Sequence, residues 1–394
     1  MKKTITKKQN KADIQPLDVF LLCSAYAVAA SFITVALTIN ISELVLSTIA
    51  LAICAFSIFV FARIAKTFKA IIMYAIILGV SAFIGGSLLL IGLFAALALC
   101  SCSLAYLINN SKSPFIWGIP LIPLIVALFI SPNANGILIS LAPLPAAILL
   151  AYSVNKRLDR VAAVCRISFG LCAVFVASAL ITLYSTMGEI SLASAKSFIE
   201  ILKEEIVILC MTAMQEIEEM MALDMSETDM RTVIDAIVGT VFNLLPGLLI
   251  TVCNIIAYII HSIYLTVCYP DPQKDREELS PMLEFDISLT SAIVYIVAVV
   301  ATLVLVTGGS ALYGAVAENI VIVLAPGLIL VALGGIRAFM AKKGPSCLGT
   351  LVYMGVIFLL ATFSIYAIIG VALAGAVFII LAYVSDYKKR KKGN

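Results

Sequence analysis

Long apolar runs recur along this chain, and the links between them alternate between strongly basic and nearly cation-free. That pattern leaves one class of fold. About 20 apolar residues match the hydrocarbon core of a bilayer, roughly 30 Å thick. Inside that core every backbone polar group must be satisfied within its own segment, which an α-helix achieves. Composition agrees, with 62% hydrophobic and 12% charged residues, where soluble domains carry about 25% charged. The chain reads as an all-α integral membrane protein.

About twelve spans are expected, at 17–39, 43–62, 70–88, 90–108, 114–131, 136–153, 161–184, 236–260, 287–306, 312–336, 347–366 and 368–385. Of the 26 Lys and Arg residues, all but Lys196, Lys203 and Arg231 fall at one side of this zigzag. Arg166 lies just inside the seventh span on that side, where a long side chain can snorkel to the surface. Positive links stay cytoplasmic, so both termini are expected inside a bacterial cytoplasmic membrane.

The expected division is a basic N-terminus (1–16), a first membrane region (17–184), an external segment (185–235), a second membrane region (236–387) and a basic tail (388–394). The first run extends to about Ile39, too long for a signal-peptide core, so an uncleaved anchor is expected. The runs 70–108 and 347–385 would each measure roughly 58 Å as one helix, so each is expected to fold as a hairpin. Gly85, Gly86 and Gly92 can turn the first; Gly370 and Gly375 can turn or closely pack the second.

Residues 189–235 hold 11 of the 23 acidic residues. Ala195, Phe198, Leu202, Ile206, Leu209, Ala213 and Ile217 recur at steps of three and four, opposite Lys196, Glu200, Lys203, Glu204, Glu216, Glu218 and Glu219. This is an amphipathic helix. Asp224 to Asp229 breaks it, and Ser226 or Thr228 can cap the next helix. An acidic extracytoplasmic helical hairpin is therefore expected.

Motifs for soluble chemistry are missing from the sequence. One histidine makes HExxH impossible, and no phosphate-binding, nucleophile-elbow or dinucleotide fingerprint occurs. Ten cysteines are scattered, most of them in apolar runs, without zinc spacing. No catalytic residue, metal, cofactor or nucleic-acid partner is expected, and no enzyme activity.

The polar residues inside spans are the better pointers, because charge at mid-bilayer costs about 2.5–3.5 kcal/mol. Asn254, Tyr258 and His261 share one helical face at i, i+4 and i+7. Glu318 and Asn319 lie inside the tenth span. Each group has an interruption nearby, at Pro246–Gly247 and Pro326–Gly327. Proline frees a backbone carbonyl, and two interrupted helices can frame a midplane site. These five residues are the candidate ligand-binding set. Helix gluing by Asn254 is the plainer alternative.

The C-terminal half carries NLLPGLLITVCNIIAYII (243–260), ENIVIVLAPGLILVALGGIRAFMAKKGPS (318–346) and a close in AYVSDYKKRKK (382–392), with Pro246, Asn319, Gly335 and Asp386 in order. Over about 190–392 this resembles the YybS-like family of predicted bacterial membrane proteins. That resemblance implies a multi-pass membrane protein. By fold-level analogy it also implies a likeness to the substrate-binding membrane subunits of vitamin-uptake transporters. It carries over no functional residue. The expected role is binding or moving a small solute or lipid. The alternatives are a scaffold or regulator acting on a membrane partner through 189–235, and an intramembrane enzyme with a polar pair at one depth.

Overall fold

The computed structural model describes residues 15–38, 42–65, 71–72, 74–79, 87–111, 113–130, 134–221, 227–267, 285, 287–307, 311–343, 355–356, 360 and 365–392. Its helices are α1 (Pro16–Thr38), α2 (Glu43–Ile64), α3 (Leu88–Asn110), α4 (Leu121–Ile130), α5 (Ala134–Leu141), α6 (Pro143–Asn155), α7 (Arg160–Met187), α8 (Leu192–Met221), α9 (Glu227–Val267), α10 (Leu289–Thr307), α11 (Ala311–Lys343) and α12 (Ile365–Lys392). No strand occurs among the described residues.

Eight helices among the described residues are long and apolar enough to cross a membrane, and the apolar helices at Pro114–Ile130 and Leu289–Leu305 are shorter. The expected 114–131 span is a 3-10 turn at Pro114–Gly118 followed by α4. The expected 136–153 span is one of the eight, Ala134–Asn155, with a local break between α5 and α6 where Pro143 opens α6. Proline lacks the amide that would continue a preceding helix, which accounts for this break. About half of the 70–88 run and most of the 347–366 run lie outside the described residues, as do Gly85 and Gly86.

The chain divides into two compact units. The first takes residues 1–178 and 253–279, the second 179–252 and 280–394, so α9 contributes to both.

In the first unit, α1 and α2 run antiparallel, and Arg63 Nε donates to Asp18 Oδ1 at 3.1 Å. Helix α3 is the hub, buried almost all round from Ala95 to Leu107. It packs against α1, α2 and α6. Its Cys102 thiol reaches the Ile260 carbonyl of α9 at 3.7 Å. Alanine, serine, cysteine and glycine dominate this stretch, and small residues let helix backbones approach closely. A Cβ at Gly92 would overlap Ala50 of α2, so Gly92 is a contact point and not a turn.

In the second unit, α10, α11 and α12 enclose Ala292, Tyr295, Ala298, Ala325, Leu328 and Ala372. Gly370 and Gly375 lie inside α12; a Cβ at Gly375 would collide with the Leu328 carbonyl. Helix α8 pairs with the first part of α9 through Val207, Met230, Ile234 and Val238. Arg231 Nη2 donates to Glu204 at 2.6 Å across this pair. Of the apolar stripe read from sequence, Ala195, Phe198 and Leu202 are half-buried and Ile206 and Leu209 exposed, while Val207, Cys210, Met211 and Met214 pack with α9. Helix α8 is apolar on two sides, and periodicity picks out only one of them.

Candidate functional site

Two prolines fix the geometry of the second unit. Pro246 in α9 has no N–H, so the Phe242 carbonyl loses its intrahelical donor. One residue on, the side chain of Asn319 from α11 engages both groups of the next rung. Its Oδ1 accepts from Gly247 N–H at 2.6 Å, and its Nδ2 donates to the Asn243 carbonyl at 2.8 Å. The same Nδ2 donates to the Ala315 carbonyl of its own helix at 2.7 Å. Both amide hydrogens and one oxygen lone pair are thus committed.

Pro326 in α11 opens the mirror gap, leaving the Ile322 carbonyl without an intrahelical donor. Thr251 Oγ1 of α9 donates to that carbonyl at 3.0 Å. Thr251 thus serves the carbonyl that Pro326 frees, and Asn319 ties α11 to the rung beside Pro246. Gly247 permits it, since a Cβ there would sit 2.5 Å from Asn319 Oδ1 and 3.0 Å from its Cα.

The first unit holds a different arrangement. The ends of α3, α6 and α9 meet at one level: Asn109 Nδ2 donates to Tyr264 Oη at 3.0 Å, and Asn155 Nδ2 donates to Asn109 Oδ1 at 2.6 Å. Arg160, opening α7, lies 5.9 Å from the Tyr258 ring centre. Above this layer, buried polar atoms lack protein partners: Tyr26 Oη, Ser101 Oγ, Ser103 Oγ, Ser153 Oγ and His261 Nδ1. Tyr26 and His261 flank α3 at neighbouring heights, because Cys100 Sγ reaches the Tyr26 carbonyl at 3.5 Å and Cys102 Sγ that of Ile260.

Serine and threonine inside helices usually bond back to a carbonyl three or four residues earlier. Thr34, Ser57 and Ser140 do so here. Ser101, Ser103 and Ser153 do not. A buried polar atom without a partner costs about 1–3 kcal/mol, and buried polar groups in proteins find water or ligand when protein supplies nothing.

Of the five residues picked from sequence, Asn254, Tyr258 and His261 belong to the first unit, and Glu318 and Asn319 to the second. His261 is buried and Tyr258 half-buried against Arg160. Asn254 and Glu318 are half-buried, and Asn319 is the kink-mending amide. Among the described residues no three His, Cys, Asp or Glu side chains converge on a possible metal position. Tyr26, Ser101, Ser103, Ser153, Asn109 and Asn155 escaped notice in the sequence. The one available signal was the Cys-Ser-Cys-Ser run at 100–103, polar atoms spaced too closely to share one face.

The model of a family described as predicted membrane protein (DUF2232) matches residues 116–372. No curated protein and no solved structure matches.

Proposed function

As the chain belongs to the DUF2232 family of predicted membrane proteins, we propose that it binds a small polar solute around α3, within the first unit, as a step in moving it across the bilayer. One observation carries this reading. Tyr26, Ser101, Ser103, Ser153 and His261 present buried polar atoms that the protein leaves unpartnered. Their chemistry favours a solute with both donors and acceptors: hydroxyls serve as either, and a neutral imidazole offers one of each. The contrast with the second unit supports it, where Asn319 and Thr251 are taken up in mending helix breaks.

Purification in mild detergent followed by mass spectrometry tests the reading. A co-purifying small molecule, depleted in S101A/S103A, is the expected result. Protein that emerges empty and shows no thermal shift with any solute panel refutes it.

A second reading rests on α8. Its Ile206, Ile208 and Leu209 are exposed beside Glu200 and Glu204, a combination suited to a membrane partner that a scaffold or regulator would hold. Deleting 189–235 would then abolish partner capture while solute binding survives. We take the finer YybS-like assignment, both termini in the cytoplasm of a bacterium, and 189–235 outside as parts of the same proposal. Cysteine labelling from outside intact cells checks the sidedness: positions near Glu218 react and those near Lys156 stay protected.

A further inference from the structure

Helix α7 turns one stripe outward along its length: Arg166, Phe169, Ala173, Val176 and Leu180 are all exposed, at helical spacing. In a spanning helix such a stripe faces lipid. Four of its five members suit hydrocarbon and one is a cation. Arg166 lies six residues from the start of α7, about 9 Å along the axis. Long side chains on a helix lean toward its N-terminus, which for α7 is the end holding the Lys156–Arg160 link. The guanidinium sits 5.3 Å from the Tyr152 ring centre of α6. Tyr152 is 45% exposed, as suits an aromatic ring at the headgroup level.

The corner beneath is basic by construction. Helix α6 closes with paired bonds, Arg157 N–H to the Val154 carbonyl at 3.0 Å and Leu158 N–H to the Ser153 carbonyl at 3.0 Å. This closure puts its penultimate residue in the left-handed region, where glycine is favoured. Arg157 occupies that position at φ 48°, the one positive φ outside glycine among the described residues. An arginine held where glycine would be less strained points to a use for its charge. Lys156 and Arg157 are exposed. The nearby carboxylate, Asp159, caps α7: its Oδ2 accepts from Ala162 N–H at 3.2 Å.

We propose that the α6–α7 corner binds the phosphate headgroup of an anionic phospholipid, with Arg166 reaching it from the lipid-facing side of α7, Lys156 and Arg157 from the link, and Tyr152 against the glycerol region. Basic corners at the end of spanning helices recognise such headgroups. The lipid is the source of the phosphate because Arg166 stands on an exposed stripe of apolar side chains, which suits acyl chains and not a free ion.

Native mass spectrometry of the full chain in detergent, titrated with phosphatidylglycerol or phosphatidylcholine, tests this. The wild type retains phosphatidylglycerol preferentially. R166Q and R157G each bind it about fivefold more weakly, the effect of one surface cation, with phosphatidylcholine unchanged. R157G keeps its turn, because glycine accepts that φ, so a fold defect in R166Q leaves the test standing. The proposal is overturned if R157G and K156Q retain phosphatidylglycerol like the wild type, or if phosphatidylcholine binds as well. Inorganic phosphate alone occupying the corner with the same sensitivity to R166Q also overturns it.

Discussion

Replacing Asn319 by alanine removes the amide that bonds the α9 rung beside Pro246. Two of its three hydrogen bonds cross between helices, to Gly247 and Asn243. Interhelical bonds of this kind are worth about 0.6 kcal/mol on average in membrane proteins and about 1.7 at most. The pair is then worth about 1–3 kcal/mol. Part returns in the variant, because Gly247 N–H and the Asn243 carbonyl are four residues apart and can bond each other. The expected loss is about 1–2 kcal/mol, read from reversible unfolding in bicelles.

Aspartate provides the sharper comparison. It keeps an acceptor for Gly247 and loses the donor for Asn243. It also adds a charge inside the span Tyr313–Arg337, where burial in hydrocarbon penalises it. N319D should therefore be less stable than N319A. Were Asn319 lining a water-filled cavity, aspartate would be the milder change. N319A within about 0.3 kcal/mol of wild type, or N319D more stable than N319A, would refute the mending role.

Further outcomes follow from the same packing. T251V should cost about 1 kcal/mol in the wild type and close to nothing in P326A, where the restored amide serves the Ile322 carbonyl, so a double-mutant cycle reads the coupling directly. In ligand-free protein, S101A/S103A should be neutral or stabilising by up to about 1 kcal/mol, because it deletes buried hydroxyls that lack partners; thermal unfolding checks it. A bulky maleimide should spare Cys100 and Cys102, which are buried, until the protein is denatured.

The helical membrane class was legible because apolar length is a direct physical requirement of the bilayer. So was the loss of one backbone donor at Pro246 and at Pro326, since proline acts on its own backbone, although α9 and α11 run on through both. What each break would meet was not legible. Thr251 and Ile322 are 71 residues apart, and only packing aligns them. Periodicity placed Asn254, Tyr258 and His261 on one face, yet it could not say that Tyr258 meets Arg160 while His261 is buried. The unpartnered serines on α3 were invisible for a related reason. A serine that bonds its own helix and one that does not look the same in sequence.

Unit one is discontinuous in the chain, and that carries a cost during synthesis. Helices α1 to α3 emerge early, but residues 253–267, which Cys102 and Asn109 contact, emerge only after 179–252 have been made for the other unit. Until then the flank of α3 that carries Cys102 and Asn109 lacks its α9 neighbour. A ribosome stalled before Cys253 would leave a nascent chain with that flank uncovered inside the bilayer, a natural target for membrane chaperones and proteases.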